Sequence, residues 1–545
     1  MKKAVSIISC LLLICFVVIA FAACANDDQK DSLVIYNWAD YIFDEDLKEF
    51  KKYYKDLTGK SIDITYVTFD TNETMLTRLT QGDSNVDVVC PSEYAIQKLI
   101  EGDMLVPMYY FDEARYTASF GDAVTGYGHN AANVEEGIID KVSDAFGSIT
   151  TKSGEVVSMV DYFVPYMYGT LGILYNKYAF MDLGIYNAEI MNAAKWGILF
   201  NDDGSGNLLS EGLTGNILMK DSIRDSYAAT VFYMLESGRL DGRYNEDGKL
   251  YTDLTAGELI NAVDDQLLEI VRDVLTEQKK QLFGYEVDFG KDDLLQGNAI
   301  VDLAWSGDAL YAVEESWDDS LGEEGDYELA YYVPHGTGNI WFDGWVVPKT
   351  YNPSHLTAIK LFINFLNTPE AAAENFMEIG YTPAIRPDVL QNSDEARAVL
   401  SEGYVVYDPE YWDVVDEKGN PLSVDDCDFA SWEEFCEYFF DSVDDIDGSN
   451  WRYPFVSTEL NADNDRNIDS LGVMRDFGDK NKAVITTWNY ARSAGTTALP
   501  LLLWTVLVLA VTLGALYLFI LIKRLLAQRV KLSSETDGAE PTEQT

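Results

Sequence analysis

Leu33-Val34-Ile35-Tyr36, Ile62-Asp63-Ile64-Thr65-Tyr66 and Val86-Asp87-Val88-Val89 are three apolar runs of strand length, and what separates them decides the fold. After the first run Leu47, Phe50, Tyr54 and Leu57 recur at helical spacing until Gly59 ends the helix. After the second, Met75, Leu76 and Leu79 mark another helix. Strand, helix, strand, helix, strand is the order of a parallel sheet with right-handed crossovers. Ligands meet such sheets at the loops beyond the C-terminal ends of the strands. Those loops read Asn37-Trp38-Ala39-Asp40-Tyr41, Thr71-Asn72-Glu73 and Pro91-Ser92-Glu93-Tyr94. One aromatic at a strand end is ordinary rim packing; Trp38 with Tyr41 on one strand and Tyr94 on another point to a lined cleft.

Further along, Val164-Pro165-Tyr166-Met167-Tyr168-Gly169 followed by Leu171-Gly172-Ile173-Leu174-Tyr175 reads as a turn and then a strand, a crossover into a second lobe. Asn339-Ile340-Trp341-Phe342-Asp343-Gly344-Trp345 is an aromatic run with one carboxylate in its middle. As a strand it puts Trp341, Asp343 and Trp345 on one face, the carboxylate between two indoles. A buried carboxylate needs a partner, and an ammonium over an indole gains from both the charge and the ring, by about 2 kcal/mol or more where water is excluded. That is a socket for an organic cation; the plainer alternative is a core strand whose Asp caps a turn at Gly344.

The 545 residues are enough for two or more domains, and 91 acidic against 39 basic residues leave a formal charge of −52. Nucleic acid and anionic membrane surfaces are therefore poor partners, and small cations are attracted; a solvated acidic surface would give the same total. Met1-Lys2-Lys3 and the uncharged run Ala4 to Ala23 form an export signal. Ala22-Ala23-Cys24 resembles a bacterial lipoprotein cleavage site with Cys24 as the lipidated residue, although Phe21 stands where an aliphatic residue is usual, and the run is also long enough to span a bilayer uncleaved. Leu499 to Ile522 holds no charge and precedes Lys523, Arg524, Arg529 and Lys531, as expected of a transmembrane helix with a cytoplasmic tail, 523–545. The body between faces outward. Outside the signal region only Cys90, Cys427 and Cys436 remain, which allows at most one bridge, Cys427 to Cys436, and no disulfide framework.

Taken together, Val34 to Ile42, Thr71 to Met75, Pro91 to Tyr94, Val164 to Gly169, Trp305-Ser306-Gly307 and Trp341-Phe342-Asp343 occur in the order and spacing of the spermidine/putrescine-binding proteins of ABC importers. The helix from Leu356 to Phe365, Pro369 and the loop Gly380-Tyr381-Thr382-Pro383 continue the likeness, which spans about 33–395. The resemblance implies an α/β, two-lobed periplasmic-binding-protein fold with a hinge and an interlobe cleft. Lobe one would take 33–169 and 344–395, and lobe two 170–343 and 396–490. It also implies an aromatic box of Trp38, Tyr41, Tyr94, Trp305, Trp341 and Tyr381, with Ser92 as a polar contact and Asp343 as the principal carboxylate. Asp225 would be the second acid, and Ser222 stands where some members carry an Asp. Tyr168 replaces a Trp common in the family. A polyamine needs this chemistry: apolar walls for its methylenes and separated carboxylates for its ammoniums.

Glu402 to Asp447 holds sixteen acidic residues against Lys418 alone, yet also ten aromatics, which argues against disorder. The block 402–450 reads as a folded insertion on lobe two. Asn201-Asp202-Asp203-Gly204-Ser205-Gly206 and Asp445-Ile446-Asp447-Gly448 lack the closing Glu of a calcium loop and read as turns, so no metal is expected. His129, His335 and His355 lack metal-ligand spacing, and neither HExxH nor GxSxG occurs. The sequence thus leads away from an enzyme such as an exported carboxylate hydrolase. It leads to an extracellular, membrane-anchored polyamine-binding subunit without cofactor, partnered by an ABC permease and ATPase. A tethered solute receptor, or a binder of a sugar or amino acid, keeps the fold and changes the task.

Overall fold

The computed structural model describes residues 30–82, 85–120, 129–316, 328–334, 336–407, 422–424, 427–440, 471–493 and a few helical positions between 509 and 523. The first lobe begins with β1 (Asp31–Trp38), α1 (Asp44–Thr58), β2 (Ile62–Phe69), α2 (Asn72–Thr80), β3 (Val88–Val89) and α3 (Glu93–Glu101). The strands lie in the order β2-β1-β3, all parallel, with Ile35 opposite both Tyr66 and Val88. Alternation along β1 sends Leu33 and Ile35 into one core with Phe50 and Tyr54 of α1, and Tyr36 into another with Phe69, Met75 and Leu79. α1 stops at Gly59, whose φ of 73° lets its N–H reach back to the Lys55 carbonyl. α2 starts at Thr71, whose hydroxyl accepts the Thr74 N–H at 3.2 Å. The crossover order expected from the apolar runs is the one formed.

The second sheet is built around β4 (Val164–Asn176), buried along all 13 residues. With β5 (Ile217–Lys220), β6 (Leu282–Glu286), β7 (Val301–Trp305) and β8 (Leu329–Tyr332) it runs β8-β4-β7-β5-β6. Two further strands, β9 (Ile340–Trp345) and β10 (Thr382–Pro383), pair antiparallel with the first half of β4. The turn expected around Gly169 is absent. The glycines there answer close approach: a Cβ on Gly169 would stand 2.3 Å from Ser306 Oγ and 2.6 Å from the Trp341 ring, and one on Gly172 2.5 Å from the Tyr331 ring. Helices α4 (Ile223–Glu236), α5 (Gly290–Leu295) and α6 (Ser306–Glu315) follow the strands of this second lobe. The result is a two-lobed α/β architecture.

Along β9, Trp341 and Trp345 enter the core shared with β1 and α1, while Ile340 and Phe342 enter the core of Tyr36 and Phe69. The register slips between Asp343 and Gly344. α7 (Leu356–Leu366), α8 (Pro369–Ile379), α9 (Pro387–Asn392) and α10 (Asp394–Leu400) complete the first lobe. The described residues of the acidic block lie here too, against expectation: Val406, Phe429, Trp432 and Phe435 join the cluster of Leu390, Leu400 and Phe362. The Trp432 indole donates to the Gln391 carbonyl at 3.1 Å and lies under the Arg397 guanidinium at 4.3 Å. The apolar face of the block is thus covered by α9 and α10, which precede it in the chain, rather than by the second lobe.

No disulfide joins Cys427 to Cys436, and Cys90 is buried. Residues 489–545 form a separate unit, of which the end of the helix Asn481–Ser493 and short helical stretches are described. The export signal with Cys24, the turn at 445–448 and most of the apolar segment 499–522 lie outside the described residues. Among the described residues no helix is long and apolar enough to cross a membrane.

Candidate functional site

The strand ends converge on one cavity. Trp38 closes β1 and leads to Ala39, Asp40 and Tyr41; Phe69 closes β2 and leads to Asp70, Thr71, Asn72 and Glu73; Ser92, Glu93 and Tyr94 follow β3. From the other lobe come Ser222 and Asp225 beyond β5, Val287, Asp288 and Lys291 beyond β6, and Trp305 with Asp308 at the end of β7. Trp341 and Asp343 of β9, Tyr381 and Met474 complete the wall. All ten residues singled out from the sequence, Trp38, Tyr41, Ser92, Tyr94, Ser222, Asp225, Trp305, Trp341, Asp343 and Tyr381, line this space. Its volume of ≈ 140 Å³ is roughly ten times what one water requires, so a small organic molecule fits and a bare ion would leave it largely empty.

The aromatic wall is locked edge to face. Tyr381 stands 5.0 Å from Tyr41 at 77° and 5.6 Å from Trp341 at 65°, and Trp38 rests 4.5 Å from Phe69. Only one of the two indoles flanking Asp343 reaches the cavity. Trp345 turns into the core against Phe362 at 5.1 Å and Tyr166 at 5.3 Å, because the slip after Asp343 re-aims the strand. Asp343 is held by an isolated bridge between its backbone and that of Ser92, and the Gly344 N–H donates to the Pro91 carbonyl at 3.2 Å. The Asn72 amide sets the neighbouring loop, donating to Ser92 Oγ and to the Tyr94 hydroxyl at 3.0 Å each. Trp38 Nε1, Trp341 Nε1, Glu93 Oε1 and Asp343 Oδ1 are buried without a hydrogen-bond partner among the described residues. With Tyr41 Oη, buried and unpartnered as well, five such atoms around one cavity mark groups that wait for a ligand or water.

Among the described residues eight carboxylates line the space, Asp40, Asp70, Glu73, Glu93, Asp225, Asp288, Asp308 and Asp343, against one basic residue, Lys291. Burial pushes the Asp343 carboxyl up to about 7; the nearby Ser92 and Tyr41 hydroxyls counter it in part, and the Asp225 charge adds to it. Burial likewise raises Glu93 to about 8, although Glu93 Oε2 accepts the Phe342 N–H at 2.9 Å. Glu73 and Asp225 are raised by burial as well, and Asp288 to about 6 by burial and the Asp308 charge. At the second-lobe end two lysines meet acids, Glu286 and Asp308. Lys220 Nζ is 2.6 Å from Glu286 and 4.3 Å above the Trp305 ring, and Lys291 Nζ donates to Asp308 Oδ1 at 3.1 Å. Burial alone would strip Lys220 of its proton; Glu286, Asp302 and Asp308 hold its pKa above the ordinary value instead.

Residues 47–399 match the model of the bacterial extracellular solute-binding proteins. The chain belongs to that family. Among its relatives, the putrescine-binding periplasmic protein SpuD of Pseudomonas aeruginosa is 25% identical over 359 residues, 65% of this chain and 78% of the relative. The spermidine/putrescine-binding periplasmic protein of Escherichia coli is 22% identical over 374 residues, 68% and 83%. Among solved structures, a protein of Listeria monocytogenes described as a spermidine/putrescine ABC transporter aligns with a TM-score of 0.51 at 22% identity, covering 85% of this chain and 98% of that one. The Tp0655 lipoprotein of Treponema pallidum aligns with a TM-score of 0.51 at 17% identity, covering 85% and 99%. At these identities the structures carry the fold, which is the two-lobed periplasmic-binding-protein fold. Membership makes this an extracellular solute-binding protein and not an enzyme.

Sequence reasoning missed several residues that line this solute-binding protein's cavity. Asp308 follows Trp305-Ser306-Gly307 and was one acid among many; Asp288 and Lys291 come from the turn after β6 and the first turn of α5. Met474 arrives from a segment to which no site role was given. A separate group of carboxylates, Asp46, Glu49 and Glu374, brings ligand atoms within 4.8 Å of one another between α1 and α8, outside the cavity. Asp46 accepts from the Asn375 amide, and its carboxyl is pushed up to about 9 by burial and by Glu374. A shared proton accounts for that pair.

Proposed function

We propose that this solute-binding protein captures a polyamine and delivers it to an ABC permease and its ATPase. The observation that carries the reading is Asp343: a carboxylate at 6% exposure, one oxygen unpartnered, beside Trp341 and Tyr381 in a cavity with eight acids and one lysine. The relatives named for putrescine and spermidine support it. In this reading Trp38, Tyr41, Tyr94, Trp305, Trp341 and Tyr381 are the walls for methylenes, Asp343 and Asp225 hold ammoniums, and Ser92 and Ser222 are polar contacts. Ser222 has a second task, since its hydroxyl accepts the Asp225 N–H at 3.4 Å and starts α4. A sugar site would instead call for amides and guanidinium groups, and among the described residues Asn72 is the only Asn, Gln or Arg of the lining.

Acids face the cavity from both lobes, so a cation that bridges them stabilises the closed form. The lobes divide in this reading at 169/170 and 343/344, with 402–450 as an addition to the first lobe. Membrane tethering through Cys24 or the retained N-terminal run, and through 499–522, would keep the domain at the outer face beside its permease.

The test is thermal unfolding of the purified chain with putrescine, spermidine, a sugar panel and calcium. A ligand at 100 times its Kd stabilises the native state by about 2.7 kcal/mol, a visible rise in Tm. Stabilisation by the amines alone supports the reading; stabilisation by another class alone removes it and leaves the fold untouched.

A further inference from the structure

The two ends of the cavity are not equivalent. At one end Asp343 and Glu93 each keep an unpartnered oxygen. At the other, Asp308 already has a cation. Lys291 Nζ lies 3.1 Å from Asp308 Oδ1 and 5.4 Å from the Tyr311 ring centroid, with 22% of its side chain and 11% of that of Asp308 exposed. An ammonium on a carboxylate beside an aromatic ring is the environment an amine ligand would seek.

Lys291 is not a side chain drifting over a surface. It is the second residue of α5, and Gly290 before it is pressed against the acids beneath: a Cβ there would stand 2.0 Å from Asp302 Oδ2, and the Gly290 N–H donates to Glu286 Oε2 at 2.9 Å. The start of α5 is therefore fixed, and with it the point from which Lys291 reaches Asp308. Asp40, from the loop after β1 on the opposite lobe, adds its charge to the field around the Lys291 ammonium. Lys220, behind this end, supplies a second cation 4.0 Å from Asp308.

We propose that Lys291 is a tethered ammonium that fills one charge position of the cavity, so that the site takes a short diamine in preference to a longer triamine. The inference rests on the polyamine reading. A triamine would have to displace Lys291 from Asp308 or leave an ammonium beside it, and either costs affinity. A diamine needs only Asp343 and Asp225 for its two ammoniums, with its methylenes along the rings between them, and leaves the Lys291–Asp308 pair in place.

The experiment is isothermal titration of the full chain and of Lys291→Met and Lys291→Arg with putrescine and with spermidine. Deleting a positive charge strengthens binding of any cation, so the readout is the ratio of the two dissociation constants. The wild type is expected to favour putrescine. Lys291→Met is expected to move the ratio at least tenfold toward spermidine, and Lys291→Arg, which keeps the charge, to stay within threefold. Lys291→Gln serves in place of the Met variant if that one melts early. A wild type that prefers spermidine, or an unchanged ratio in the Met and Gln variants, overturns the assignment of Lys291 while the polyamine reading stands. Binding of neither amine by any of the proteins overturns the polyamine reading and this inference with it.

Discussion

Asp343 makes the affinity for an amine depend on pH in a way that can be worked through. Its carboxyl sits at about 7 in the empty cavity because burial disfavours the charged form. An ammonium ligand binds the carboxylate and not the acid, while alkylammonium groups, with pKa near 10, keep their charge throughout. Roughly a tenth of the sites are then ionised at pH 6 and roughly nine tenths at pH 8, so the dissociation constant should fall about tenfold between them, about 1.4 kcal/mol. Glu93, raised to about 8, titrates in the same direction, which makes tenfold a lower bound. Titration calorimetry with putrescine at pH 6, 7 and 8 reads the constant, and repeating pH 7 in buffers of different ionisation enthalpy reads the released proton, about half per ligand from Asp343. Asp343→Asn should bind at least tenfold more weakly at pH 8 and lose about tenfold of the pH dependence, the part that belongs to Asp343. A dissociation constant flat from pH 6 to 8, or a slope that survives intact in Asp343→Asn, would refute the argument.

Trp341→Phe keeps a ring against Tyr381 but loses the larger indole face, and should weaken amine binding by about 1 kcal/mol, roughly fivefold, with the melting curve little changed; equal affinity would remove the ring from the site. Gly169→Ala puts a methyl group against Ser306 and the Trp341 ring and should destabilise by about 1–3 kcal/mol in urea unfolding while also lowering affinity; a neutral result would mean that β4 yields more than its burial implies. Asp46, with a native pKa of about 9 against an unfolded value near 4, binds its proton more tightly when folded. Its contribution is complete below pH 4 and is lost as the pH rises toward 9, so Asp46→Asn should gain stability over the wild type at pH 8 relative to pH 5. Parallel urea midpoints at the two pH values check this, and an equal difference at both would contradict it.

Much of this was legible because it is local. The alternation of Leu33 and Ile35 against Tyr36, the spacing of Phe50 and Tyr54, and the stop at Gly59 need no distant partner. The parallel order then fixes which loops meet a ligand, and Trp38, Tyr41, Ser92 and Tyr94 follow from it. What stayed hidden depends on residues far away in the chain. Gly169 and Gly172 look the same in a turn and under a pressing ring, and only Ser306, Trp341 and Tyr331 decide between the two. Lys291 and Asp308 sit among 91 acids and 39 bases with nothing local to distinguish them; their meeting needs α5 and α6 to be packed together. The acidic block advertised an apolar face, but its amino acids could not say that α9 and α10 would cover it.

The cavity's acids and its aromatics answer different questions. With eight carboxylates around so small a space, Asp343 and Glu93 answer burial by keeping protons near neutral pH, which is what their raised values express. A cation that enters therefore replaces protons more than it neutralises bare charge, and any cation small enough competes for the same positions. Choice among them falls to surfaces that a proton or a hydrated metal ion cannot use. Trp341, Tyr381 and Tyr41 form such a surface, rigid through edge-to-face contacts and dry enough to reward methylenes. Charge brings the ligand to the cleft, and the rings decide which ligand stays.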